Sequence, residues 1–204
     1  YKVKDDFKES INNRCSLTID NNFLIDDLLF KIWDSTTADE DAYNSKYRGI
    51  QGYHVFDKAL GQNIELCDIM FESETEIYFI HVKSGFDAKI RDLSNQITIS
   101  ANRFMNDRNS GSTTFVGDVI DSYNRKIENA DYQIEKQSFL DKFKTDGKNI
   151  IYVMAFKPEQ KSIPEIKGNV HRVKSNIAKF SLIQCVREMN SMSYPIKIVE
   201  IKRV

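Results

Sequence analysis

The stretch IELCDIMFESETEIYFIHVKSGFDAKIRDLSNQITISANRF, Ile64–Phe104, decides how this chain is read. Two runs rich in apolar and β-favouring residues, Ile64–Phe71 and Glu76–Lys83, flank the polar ESET. A short polar connection between two such runs predicts a β-hairpin. Behind it Ile90, Leu93, Ile97, Ala101 and Phe104 recur at spacings of three and four, which predicts a helix. Two charges interrupt the strands. Asp68 lies between Cys67 and Ile69, and Lys83 ends the second run, two residues after His81. A lone charge in an apolar strand costs free energy unless it is paired or binds a metal.

Composition frames that stretch. A chain of 204 residues suits one domain, or one domain with an excursion, and can bury a real core. Its 41% apolar and 29% charged content is ordinary for a globular protein. A net charge of −1 provides no overall positive field, so any nucleic-acid surface must be a local patch. Cys15, Cys67 and Cys185 form neither a CxxC motif nor a disulfide framework, which predicts a reducing, cytoplasmic home. There is no signal peptide and no apolar run near the roughly 20 residues that span a bilayer, so no membrane partner is expected. The chain starts at Tyr1 rather than Met, and is expected to be part of a longer polypeptide.

Outward from the central stretch, residues 1–35 read as a lead-in, polar and loose at first, with a short strand over Cys15–Ile19. Phe23–Trp33 is strongly apolar and fits a buried helix or a strand pair. Thr36 or Thr37 offers an N-cap to an acidic first turn, Asp39-Glu40-Asp41, of a helix reaching about Arg48. Gly49 and Gly52 end it, and Tyr53–Phe56 reads as a strand. After Phe104 comes a polar loop, Asn106–Ser112, within a helical insert near 106–145. Asn149–Phe156 is a continuous apolar run, as in a strand covered on both faces. Pro158 and Pro164 mark a loop. A helix with Leu182, Ile183, Cys185, Val186 and Met189 on its stripe and a final strand, IKIVEI, close the chain. The sum is an α/β domain over 36–204 with a mixed central sheet flanked by helices.

The order acidic helix, strand, strand with Asp, strand ending in Lys, helix resembles the PD-(D/E)xK, or restriction-endonuclease-like, nuclease fold. The chain is most similar to a sporadically distributed bacterial family of nuclease-like proteins of unknown function. The motifs are Glu40-Asp41-Ala42-Tyr43-Asn44, Glu65-Leu66-Cys67-Asp68-Ile69 and Ile80-His81-Val82-Lys83, with a later likeness over SNIAKFSLIQCVREM. The likeness runs from about Asp39 to the end and is poor over the insert. It implies a restriction-endonuclease-like core and a metal-dependent endonuclease hydrolysing phosphodiester bonds. It further implies nucleic acid as partner, DNA favoured, a homo-oligomer, and bacterial defence against foreign DNA. The superfamily places Glu, Asp or Gln where His81 stands. The competing reading is a catalytically degenerate module that binds nucleic acid or mediates assembly.

In the nuclease reading, a divalent Mg²⁺ or Mn²⁺ needs oxygen ligands. Asp68 is the anchoring carboxylate, Glu40 a second, and the Val82 carbonyl a third oxygen. Lys83 orients water and stabilises developing charge. His81 shares a strand face with Lys83 by alternation and is assigned to the same site, as metal ligand or phosphate contact. An imidazole there predicts better activity with Mn²⁺ than with Mg²⁺. Gln96 on the following helix is a further candidate, with Asn95 beside it. Bland readings stand next to these. Asp68 and Lys83 also suit a structural ion pair, His81 a core histidine, Gln96 an ordinary helix face, and Glu40 a favourable charge at a helix N-terminus. Asp39 and Asp41 compete with Glu40, and Glu65 reads as structural or as a support to the ligands. Phosphate-binding cations fall in two groups: Lys83, Lys89, Arg91 and Arg103, then Lys157, Lys161, Lys167, Arg172, Lys174 and Lys179.

Overall fold

In a computed structural model that describes residues 2–24, 29–128, 132–144, 148–158, 163 and 165–204, the elements run α1 (Lys2–Asn22), α2 (Glu40–Ser45), β1 (Tyr53–Val55), β2 (Leu60–Gly61), β3 (Ile64–Glu65), β4 (Ile69–Glu72), β5 (Glu76–Ser84), α3 (Lys89–Ser110), α4 (Thr114–Lys126), α5 (Lys136–Lys144), β6 (Asn149–Lys157), α6 (Asn176–Ser191) and β7 (Ile196–Glu200). Strand β5 is the axis. It pairs antiparallel with β4 and parallel with β6. With β1 beyond β4 and β7 beyond β6, a mixed five-stranded sheet forms in the order β1-β4-β5-β6-β7. β2 and β3 make a separate two-stranded hairpin.

The sheet is covered on both faces, which is why β5 and β6 carry nearly unbroken apolar runs. One face carries the larger core, where Phe79, Ile97, Phe104, Tyr152 and Leu182 are buried beneath the helices. The other carries a smaller core around Trp33, Tyr43, Tyr47, Ile80 and Val153. Its rings form a continuous chain from Trp33 through Tyr43, Tyr47 and Tyr53 to Phe71. Hydroxyls in that chain bind backbone: Tyr43 Oη donates to Lys31 O at 3.0 Å and Tyr53 Oη to Leu29 O at 2.9 Å. Buried phenols need such partners, and these bonds fasten the connection before α2 and so fix where α2 begins.

Several expectations are corrected. The start of the chain is neither loose nor a strand at Cys15–Ile19; it is helix α1, which buries Ile11, Cys15 and Ile19 at spacings of four and packs on α6. Helix α1 thus packs against the rest of the described fold. Phe23 and Trp33 make single parallel bridges to Ile198 and Arg203; residues 25–28 of the expected helix or strand pair lie outside the described residues. The N-cap of α2 is Asp39, whose side chain accepts from Ala42 N at 2.9 Å, and not Thr36 or Thr37. The loop expected at Asn106–Ser112 is mostly the last turns of α3, closed by Gly111 at φ +68°. The expected strand Ile64–Phe71 is two strands, β3 and β4, split by Leu66–Asp68. Lys161 and Pro164 lie outside the described residues. Among the described residues no helix is long and apolar enough to cross a membrane.

Candidate metal centre

The site forms where β4 leaves β5. Their last ladder pair is Ile69 with Ile80, and Asp68 N still donates to Ile80 O at 3.0 Å. One step further, Val82 has no β4 residue opposite it, and its N–H donates to Asp68 Oδ2 at 2.6 Å instead. A strand residue turns its N–H and C=O to the same neighbour. The Val82 carbonyl thus faces the Asp68 side as well.

Two more acids are brought to Asp68 by backbone. Phe56 N and Asp57 N both donate to Asp68 O, at 2.8 and 3.1 Å, which holds Asp57 against it. The chain then passes out through β2 and returns through β3. Gln62 and Asn63 take the turn at φ +52° and +63°, the left-handed pair of a tight hairpin. That reversal returns Glu65, whose Oε1 accepts from Lys58 N at 2.9 Å. One oxygen each from Asp57, Glu65 and Asp68 then lies within 4.8 Å of the others. Helix α4, from the expected insert, braces the hairpin. Ser122 Oγ accepts from Leu60 N at 3.1 Å, and a Cβ on Gly61 would meet Phe115 O at 2.5 Å. Only glycine permits that approach.

Electrostatics mark the cluster as short of positive charge. Burial pushes the Asp68 carboxyl up to about 8, and the charges of Glu65 and Asp57 add to this against the Val82 N–H. Burial also raises Glu65, with Asp57 contributing, and raises Asp57, with Asp41 contributing. Half-buried carboxylates that hold one another's protons on are poised for a cation, which would reverse each shift. The donor set of three carboxylates and a carbonyl is hard and oxygen-only, the chemistry that suits Mg²⁺ or Mn²⁺.

Lys83 and Glu40 stand beside the cluster. Lys83 Nζ lies 2.9 Å from Glu40 Oε2, and Glu40 Oε1 accepts from Ser84 N at 2.9 Å and Ser84 Oγ at 3.1 Å. Burial works against the Glu40 charge, but the Ser84 N–H and Lys83 outweigh it and hold its carboxyl below the usual range. Lys83 is also near enough to Asp68 and Glu65 to favour their charged forms. Among the three acids of that turn, Asp39 caps the helix, Asp41 pairs with Lys58, and Glu40 alone reaches β5. The spacing to Tyr43 and Asn44 selects the same residue.

The structure does not bring His81 or Gln96 to the cluster. His81 is 0% exposed, its ring nearly parallel to Tyr152 with centroids 6.4 Å apart, and neither ring nitrogen has a partner at full hydrogen-bond geometry among the described residues. Burial pushes it down to about 3, against the nearby Leu66 backbone. Alternation does put it on the Lys83 face, but that face is the larger core at this depth. Lys83 escapes because it is long and ends the strand. Gln96 and Asn95 are exposed on α3. Asp57 is absent from the sequence candidates, and Glu65 is there only as structural or as a support to the ligands. Strand alternation places Glu65 away from Asp68 only if Ile64–Phe71 is one strand, and the split at Leu66–Asp68 cancels that parity. The available signal was GQN, Gly61–Asn63, a turn between two acids eight residues apart.

Three of the second group of cations are engaged within the fold. Lys179 is buried, bonding Asn12 Oδ1 and Val173 O at 2.6 Å each. Lys157 and Lys167 lie 4.5 and 4.4 Å from the ring centroids of Trp33 and Phe23. Around the acid cluster the cations are Arg48, Lys58 and Lys126, each close enough to lower the Asp57 carboxyl, with Lys89 donating to Ser84 O at 3.1 Å.

No curated protein and no solved structure matches this chain. A family model does, over residues 1–202. The chain therefore belongs to the DUF6119 family, a family of unknown function.

Proposed function

We propose that this chain is a metal-dependent nuclease of the restriction-endonuclease-like kind, acting on DNA. The observation that carries the reading is the convergence of Asp57, Glu65 and Asp68 within 4.8 Å at the open end of the β4–β5 pair, beside Lys83. The topology supports it: an antiparallel hairpin, a helix and a parallel strand follow in the order the sequence resemblance implies. The resemblance alone supports a role in bacterial defence. Three buried free cysteines suit the reducing cytoplasm expected for it.

Asp57, Glu65, Asp68 and the Val82 carbonyl would hold the cation. Bound there, a divalent ion supplies Lewis acidity and a water of lowered pKa. Lys83 presents an ammonium toward the space above Asp68, where negative charge develops on a phosphate under attack. Glu40, itself held by Ser84, fixes that ammonium, so it is oriented before substrate arrives. The rim cations Arg48, Lys58, Lys126 and Lys89 offer phosphate contacts without sequence readout. With His81 outside the donor set, the ground for preferring Mn²⁺ over Mg²⁺ is gone, and both ions are expected to support cleavage.

The Lys83–Glu40 pair favours a second reading, in which the lysine is structural and the module only binds nucleic acid. Isothermal titration with Mn²⁺ and a DNA cleavage assay separate the two. Asp68→Ala is expected to remove both metal binding and cleavage, and Lys83→Ala cleavage alone, with circular dichroism unchanged. Cleavage retained by a well-folded Asp68→Ala chain overturns the nuclease proposal. Metal binding without any cleavage by the wild type supports the binding module.

A further inference from the structure

The opposite end of β5 carries a second candidate site. A cavity of about 380 Å³ opens where β6 begins and β7 is approached, with Phe104, Arg108, Lys142, Phe143, Lys148 and Tyr194 among its walls. Asn149 of this cavity pairs with Glu76, and Lys83 lies seven residues further along β5. At about 3.3 Å per residue that is roughly 23 Å from the acid cluster, so the two do not share a ligand.

Three features define what would fit. First, the walls carry three cations, Arg108, Lys142 and Lys148, and the carboxylate beside two of them, Glu72, lies outside the lining. Lys142 and Lys148 both pair with Glu72, the latter at 2.6 Å, so one anion serves two ammonium groups. Arg108 is exposed and faces the neutral Tyr194 hydroxyl. Second, a neighbouring cavity of about 260 Å³ shares Phe104, Arg108 and Phe143 but continues over Val116 and Leu140. The carboxylate there, Asp107, is already used by Arg103 and by Phe115 N at 2.7 Å. The two cavities thus lie on either side of a wall formed by Phe104, Arg108 and Phe143, with the lysines on one side and a mixed lining of Ser112, Thr113, Val116 and Leu140 on the other. Third, the first cavity falls within the roughly 300–1,000 Å³ usual for small-molecule sites.

We propose that the first cavity binds a nucleoside phosphate, with its phosphate between Arg108 and Lys148 and its base against Phe143. Charge-assisted bonds from Arg and Lys are the usual clamp for phosphate, and aromatic rings take any base. The chemistry has two sources, a free nucleotide and the 5′-phosphorylated end of a strand. The site is independent of the metal-dependent reading of the acid cluster.

The test is isothermal titration of the full chain in metal-free buffer, so that the acid cluster contributes no chemistry. The probes are AMP, ADP, adenosine and a 5′-phosphorylated oligonucleotide. AMP and ADP are expected to bind and adenosine not to. Arg108→Glu and Lys148→Ala should each weaken AMP by about tenfold or more, the scale of one lost charged hydrogen bond. Arg108 is exposed, so its variant keeps the fold, and circular dichroism checks this. Competition between AMP and the phosphorylated oligonucleotide assigns the site to a strand end; AMP binding without competition assigns it to a free nucleotide. No binding of AMP, ADP or oligonucleotide at about 1 mM, adenosine binding as tightly as AMP, or AMP affinity unchanged in both variants overturns the proposal.

Discussion

The two ends of β5 are built from the same residue types in opposite proportion. At its end, Asp57, Glu65 and Asp68 converge with Lys83 as a near cation. At its start, Glu72 alone serves Lys142 and Lys148. The carboxyls respond in opposite directions. Burial opposes the charge on both, but two lysines outweigh it at Glu72 and hold that group below its usual range. Nothing outweighs it at Asp68, which rises to about 8. A folded chain satisfies its half-buried charges unless something else supplies the missing partner. The start of β5 sets two lysines against one carboxylate; at its end three carboxyls gather, and the cations near them do not offset the burial of Asp68. The difference is the ground of the two proposals, a cation for one end and an anion for the other.

The largest effect is expected at Asp68. Its carboxyl holds a proton more tightly folded than unfolded, so the metal-free protein loses stability as pH rises from the ordinary 3.8 to about 8 and levels off beyond. Divalent metal should restore that stability and release protons at neutral pH, seen as a buffer-dependent enthalpy of binding. Asp68→Asn keeps the shape, removes the slope, and should weaken Mn²⁺ by more than about a hundredfold. Denaturation across pH and titration in two buffers measure both. A slope that persists in the variant would mean that Glu65 or Asp57 carries the strained proton.

Those same residues show what the sequence disclosed. β5, α3 and α6 were legible because each buries a long apolar pattern whose period is set by its own backbone. Asp68 and Lys83 were legible as charges where such a pattern tolerates none. Asp57 and Glu65 were not, because their convergence depends on a two-strand hairpin and on backbone bonds to Asp68 O. Helix α1 was hidden by the narrowness of its stripe: a helix resting mainly on one neighbour needs only Ile11, Cys15 and Ile19 inside, and Phe7 and Leu17 are exposed. His81 misled because alternation gives a face and not a depth.

A smaller effect is expected at the other end of β5. Glu72→Gln keeps size and hydrogen-bonding capacity but leaves Lys142 and Lys148 without their shared charge. The lysines are partly solvated, so the cost should be only roughly 1 kcal/mol. Because the Glu72 carboxyl is held below its usual 4.5, its contribution is present above that value and fades as pH falls further. Urea denaturation at pH 7 and pH 3 should therefore show a gap between wild type and variant that narrows in acid. An equal gap at both values would show that the loss is one of packing, and the contrast between the ends would lose its electrostatic basis.

The smallest effect on metal binding is expected at His81, and it tests the comparison most sharply. The ring lies near the acid end of β5 in sequence, yet it is fully buried against Tyr152, and among the described residues neither nitrogen has a well-aligned partner. His81→Leu removes two polar atoms without well-aligned partners, a gain, and changes the shape of a packed site, a cost of similar size. Stability at pH 7 should move little, and Mn²⁺ affinity should stay within about twofold, since no ligand is lost. The acid limb is where the variant should differ. The unfolded imidazole takes a proton near 6.5 while the folded ring resists until about 3. Wild-type stability contributed by the neutral ring is complete above 6.5 and is lost as pH falls through that window. The leucine variant has no such loss, so its denaturation midpoint should decline less between pH 6.5 and 4. A fall in Mn²⁺ affinity of tenfold or more would place the imidazole on the metal. The acid end of β5 would then be a mixed nitrogen and oxygen site, and the preference for Mn²⁺ over Mg²⁺ would return.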